Sequence, residues 1–220
     1  MESSSALIDP KVRQLIDTLY LTESRKRTMV ASNKCAHPQA NNIADCSEQR
    51  QIDRNLGNLI YALVRRVKPK TVLEMGNTLS LSTLFLAAGV KDNGFGKIIR
   101  SQPSAQQHNE TLTHLHLAQL TEVVEWHKPD VTQRSQAHDL NNIDFLLMNG
   151  EENDCKDLLQ QIEPVMAAKC VIVTDNTDSH KAQSYLDYIR DPHNGYISCA
   201  LSVIGESPTT SRREITLKMA

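Results

Sequence analysis

The stretch VLEMGNTLSLS, residues 72–82, offers a carboxylate at Glu74, a glycine at Gly76, then Asn77, Ser80 and Ser82, where an apolar strand gives way to a helix. Backbone N–H groups at a helix start lack intrahelical partners and carry partial positive charge, so an anion or the carboxylate of a bound small molecule suits them. A plain strand-to-helix turn capped by Ser80 is the alternative reading. Other polar segments follow apolar runs in the same way: Arg100 to Ser104, containing Gln102; His127 to Asp130; Asn149 to Asn153; and Asp175 to His180, containing Asn176. His127 and His180 carry imidazoles able to act as bases near neutral pH. His108, His114 and His116 share one helical stretch, but His114 and His116 face different sides of it and read as solvated rather than chelating. His193, in the DPHNG turn, reads as structural.

Those segments need elements to position them. Val12, Leu15, Ile16 and Leu19, then Ile52, Leu56, Leu59, Leu63 and Val67, recur at helical spacing, with the polar stretch Ser32 to Ser47, containing Pro38, read as a loop between them. From Lys70 the period changes to short apolar runs alternating with helical stretches, the pattern of parallel βαβ units. Strands are predicted at Thr71 to Met75, Lys97 to Arg100, Glu122 to Trp126, Ile143 to Met148 and Cys170 to Thr174. Helices are predicted near Leu81 to Ala88, Ala105 to Gln119, Asp154 to Ala167 and Lys181 to Ile189. Tyr196 to Val203 and Arg213 to Met219, joined by the turn GESPTTS, suggest a terminal antiparallel pair. In an open parallel sheet, ligands bind beyond the carboxyl ends of the strands, where the polar segments above fall.

Composition narrows the function classes. The net charge of -2 comes from 24 basic and 26 acidic residues interspersed along the chain, so no basic stripe marks a nucleic-acid surface. No apolar run is long enough to span a bilayer, and the opening MESSSALIDP lacks a secretory pattern, so no membrane partner and a cytoplasmic location are expected. The cysteines Cys35, Cys46, Cys155, Cys170 and Cys199 are never spaced C-x-x-C and read as reduced thiols, with Cys170 and Cys199 in the core.

The runs KPKTVLEMGNTLSLSTLFLAAGVKDNGFGKII, DFLLMNG, CVIVTDNT and YLDYIRDPHNGYIS resemble the class I S-adenosylmethionine-dependent O-methyltransferases of the bacterial small-molecule type, which are distantly similar to the catechol and caffeoyl-CoA enzymes. The resemblance spans about Asp9 to Leu217. It implies a Rossmann-like α/β fold with a mostly parallel seven-stranded sheet ending in an antiparallel hairpin. Residues 1–68 would form an N-terminal helical cap and residues 69–220 the α/β domain, as one structural unit, with a homodimer possible. It further implies that Glu74, Gly76 and Asn77 line the methionine side of the cofactor, with Ser82 behind them and Asp130 near the adenine. Asp175 and Asn176 match a pair that in relatives holds a divalent cation such as magnesium, with His180 an outside candidate for base.

The sequence departs from the family pattern at four places. Ser80 replaces a glycine whose missing Cβ allows close approach of backbone and ligand. Gln102 stands where a carboxylate would accept bonds from both ribose hydroxyls, a loss of roughly 1–2 kcal/mol, or about ten- to thirtyfold in affinity. Asn149 replaces a metal-binding aspartate, and Glu152 stands where the catechol enzymes place a lysine. The function expected is methyl transfer to a small hydroxylated molecule. The alternative is a protein of the same fold that binds a ligand or partner, or runs another reaction, without transferring methyl groups.

Overall fold

The computed structural model describes residues 8–36, 52–76, 80–101, 105–127, 140, 142–149, 155–203 and 211–219. Two helices come first, α1 (Pro10–Ala36) and α2 (Arg54–Val67). They are followed by β1 (Thr71–Met75), α3 (Ser80–Asn93), β2 (Lys97–Ser101), α4 (Ala105–Leu117), β3 (Val124–His127) and β4 (Ile143–Asn149). Then come α5 (Cys155–Ile162), β5 (Met166–Asp175), α6 (Gln183–Arg190), β6 (Tyr196–Val203) and β7 (Ser211–Lys218).

The described strands form one seven-stranded sheet in the order β3-β2-β1-β4-β5-β7-β6. β1 to β5 pair in parallel, and β7 runs antiparallel between β5 and β6. From β1 the chain steps outward to β2 and β3, then returns to the other side of β1 as β4. That reversal opens a crevice at the carboxyl ends of β1 and β4, where an open α/β sheet binds its ligand.

Strand alternation divides the apolar residues between two layers. Val72, Ile98, Phe145, Leu147 and Val173 pack against α1, α2 and α3 in one buried cluster. Leu73, Ile99, Leu146, Met148 and Ile172 pack against α5 and α6 in the other. Leu56, Ile60 and Val64 of α2 are each 0% exposed, and burying each side chain contributes about 1.5–3 kcal/mol. α2 starts on Asp53, whose Oδ1 accepts from the Leu56 N–H at 3.0 Å, and stops at Lys68 in the left-handed region. The terminal hairpin is clasped by Arg190, which donates through Nε at 3.0 Å and Nη2 at 2.8 Å to buried Glu214.

Four sequence expectations are corrected. α1 continues through Ala36 instead of giving way to a loop at Ser32, because neither proline nor glycine interrupts the chain before Pro38. The helix predicted to reach Ala167 ends at Ile162, because Pro164 lacks an N–H and clashes with the preceding turn, and β5 already begins at Met166. β3 begins at Val124, after a 3-10 turn at Thr121–Val123. Cys170 is buried, and burial pushes its thiol up to about 12, whereas Cys199 is exposed on β6. Alkylation of the folded protein should therefore modify Cys199 quickly and spare Cys155 and Cys170, as peptide mass mapping would show.

Candidate functional site

The crevice is bounded on the β1 side by a buried polar network. Glu74 is 1% exposed. Its Oε1 accepts from Ser82 Oγ at 2.5 Å, and its Oε2 from Thr83 Oγ1 at 2.8 Å and Arg100 Nη1 at 3.2 Å. Strand register creates the ion pair, since Glu74 lies beside Arg100 across β1 and β2, and Arg100 beside Trp126 across β2 and β3. The Arg100 guanidinium sits 5.8 Å from the centre of the Trp126 ring, and His108 meets that ring edge-on at 4.2 Å. Burial pulls the Arg100 pKa down, and Glu74 opposes that shift.

Past Glu74 the chain turns at Gly76, whose φ of 112° is open to glycine and strained for other residues. α3 then starts at Ser80, itself 3% exposed, with its Oγ 2.6 Å from His114 Nδ1 on α4. His114 is thus engaged between helices and is not merely solvated, a correction to the sequence reading; His108 is likewise held against Trp126. The strand end and the positive-φ glycine lie ahead of the start of α3, and a helix N-terminus beyond a parallel strand suits the carboxylate end of a small molecule.

On the other side of the crevice, Asn149 and Asp175 end β4 and β5 as register partners. Asp175 is 7% exposed, and its Oδ1 accepts from Arg213 Nε at 2.9 Å. The same guanidinium, 3% exposed, donates through Nη2 to Asp53 Oδ2. One arginine therefore ties β7 to the end of β5 and to the cap of α2. Next to Asp175, Asn176 is buried with φ of 56°, a conformation that asparagine tolerates, and the Thr177 N–H donates to the Arg212 carbonyl at 2.9 Å. Tyr20 of α1 closes this corner by donating to the Ile52 carbonyl at 3.1 Å, with the Arg54 guanidinium 4.6 Å from its ring centre. Burial raises the Tyr20 phenol above its ordinary range.

The structure brings Glu74, Gly76, Ser80 and Ser82 to one edge of the crevice and Asp175 and Asn176 to the other. His180 lies in an exposed 3-10 turn, His180–Ala182. Asn77, Gln102, Asp130 and Glu152 lie outside the described residues, as does the side chain of Asn149. Sequence reasoning missed Arg100, Arg213, Thr83 and Asp53. Arg100 left a signal, since it follows two isoleucines inside β2, where a charge needs a buried partner; Arg213, among the charged residues of β7, left none.

The described residues do not fit the divalent cation. A hard dication needs oxygen ligands with net negative charge, whereas Asp175 already faces a guanidinium. Among the described residues, no group of three or more His, Cys, Asp or Glu gathers as metal ligands. Among the same residues, no helix is long and apolar enough to cross a membrane.

Comparison with known proteins agrees with this geometry. Residues 73–177, from inside β1 to just past Asp175 and Asn176, match the family model of a methyltransferase domain. The O-methyltransferase from Bacillus cereus in complex with SAH is similar at 14% identity and a TM-score of 0.69, over 96% of this chain and 91% of that one. TomG, an O-methyltransferase from Streptomyces achromogenes in complex with SAM, is similar at 15% identity and a TM-score of 0.66, over 77% of this chain and 82% of that one. An rRNA methylase from Streptococcus thermophilus shares the fold at 15% identity and a TM-score of 0.60, over 77% of this chain and 99% of that one. No curated protein sequence matches the chain.

Proposed function

We propose that the chain, whose residues 73–177 match the family model of a methyltransferase domain and whose fold is shared by O-methyltransferases, binds S-adenosylmethionine at the β1–β4 crevice and methylates an oxygen of a small molecule. The observation that supports this reading is the strand reversal at β1, with Gly76 at φ of 112° at the strand end and α3 starting at Ser80. On this reading the backbone at Gly76 and Asn77 holds the methionine end, Gln102 meets the ribose and Asp130 the adenine. Glu74 and Ser82 act from behind, their mutual bond fixing β1 against α3.

The cofactor, when bound, supplies an electrophilic methyl group on a positively charged sulfur. The protein's own contribution is to hold the acceptor oxygen in line with that methyl and to exclude water. On this reading residues 1–68, which contain α1 and α2, serve as a helical cap on the domain. A small-molecule acceptor is favoured over nucleic acid by the interspersed charges of the chain, although an RNA enzyme shares the fold. A homodimer is compatible with this arrangement.

The second reading, a ligand-binding or scaffold protein on the same fold, is favoured by the Ser80 hydroxyl turned onto His114 and by the guanidinium on Asp175. Calorimetric titration tests the first, and methyl transfer from SAM to small hydroxylated acceptors separates the two. The first reading expects heat of binding from SAM and from S-adenosylhomocysteine (SAH). Both readings expect Ser80→Gly combined with Gln102→Glu to tighten binding, by about ten- to thirtyfold through the restored charged bonds to ribose, and the second expects this from a weak or undetectable start. Unchanged affinity in that variant would remove Gln102 from the cofactor site.

A further inference from the structure

An aspartate ending β5, followed by an asparagine, is a ready pair of oxygen ligands for a hard cation. In this protein the place beside the aspartate is taken. Arg213 Nε lies 2.9 Å from Asp175 Oδ1, its Nη2 reaches Asp53, and the side chain is 3% exposed. A guanidinium cannot shed its proton to make room for a metal ion. Swinging it aside would break two ion pairs and leave Asp53 and the start of α2 without their tie to the sheet. A dication on Asp175 would then stand within a few ångströms of a fixed like charge, in a corner screened from solvent by Tyr20 and Ile52.

We infer that Arg213 is a positioning residue that takes the place of a divalent cation at Asp175, so that the site works without a metal ion. Resting on the methyl-transfer reading, this also narrows the acceptor. With no Lewis acid to favour an alkoxide, the acceptor oxygen that suits the site best is one already anionic near neutral pH, as in a carboxylate or an acidic phenol. Its lone pair forms the C–O bond while the C–S bond breaks and the sulfur keeps that electron pair, so no proton has to leave.

The test is manganese binding, followed by electron paramagnetic resonance of free Mn2+, on the full chain with and without SAH. The wild-type protein should leave the free Mn2+ signal unchanged at millimolar protein. Arg213→Lys, which keeps the charge, should behave alike. Arg213→Met should bind Mn2+ roughly tenfold or more tightly than wild type, and adding Asp175→Asn should abolish that gain. Micromolar Mn2+ binding by the wild type, lost in Asp175→Asn, would overturn the inference. So would a folded Arg213→Met protein with no gain. If Arg213→Met fails to fold, the wild type and Arg213→Lys still decide. A wild-type protein that binds SAH and also Mn2+ at Asp175 sinks this inference alone; one that binds neither counts against the transfer reading and leaves the assignment of Arg213 standing.

Discussion

Arg100→Met should lower the unfolding free energy by about 3–5 kcal/mol, the cost of removing one partner from a buried ion pair. Both side chains are 1% exposed, so the Glu74 carboxylate would lose this cation where water cannot replace it. The hydroxyls of Ser82 and Thr83 would still donate to it, but two neutral donors do not replace a cation. For a chain of this size the loss corresponds to a fall in Tm of roughly 6–20 °C. Glu74→Gln on top of Arg100→Met should recover half or more of it, because a buried pair replaced on both sides is often nearly neutral. Urea unfolding followed by circular dichroism measures both steps. A single-variant loss below about 1 kcal/mol would mean that the pair is solvated and that the network does not hold β1, β2 and α3 together.

Gly57→Ala should be destabilising, by about 1–3 kcal/mol, although the same change at an exposed helical position would stabilise by up to about 1 kcal/mol. Two effects oppose each other, and packing decides between them. A Cβ at residue 57 would stand 2.2 Å from Phe85 Cε2 and 2.5 Å from Phe85 Cδ2. Phe85 is 1% exposed inside α3, whose Ser80–Val90 stretch is buried throughout, so the ring has nowhere to retreat. The close approach of α2 and α3 therefore depends on the missing side chain. Phe85→Leu should relieve the clash, making the double variant less destabilised than the sum of the two single changes. Strict additivity in the same unfolding assay would contradict the contact.

The parallel strands were legible because alternation between two apolar layers leaves a plain mark in runs such as TVLEM and CVIVT. Boundaries were less so. The end of α5 depended on how strongly Pro164 competes with a run of good helix formers, and the extent of α1 on how far a polar stretch stays helical without a breaker. In the candidate site, the segments Glu74 to Ser82 and Asp175 to His180 were singled out from their places at strand ends. Their partners were not, because a hydrogen bond from Arg213 to Asp175 joins residues far apart in the chain through a register that only the folded sheet defines. The same holds for Ser80 and His114, which belong to different helices. Cys199 illustrates the converse: it stands in the largely apolar run YISCALSV, but β6 is the last strand of the sheet, and Cys199 is exposed there.

The proposed function rests on cofactor binding in the crevice beyond β1. The most direct measurement is calorimetric titration of the wild-type protein with SAH. The account predicts saturable binding in the micromolar range, weaker by about ten- to thirtyfold than in the Gln102→Glu variant. Absence of binding heat at millimolar SAH, with the protein folded by circular dichroism, would contradict it and leave the crevice to a different ligand.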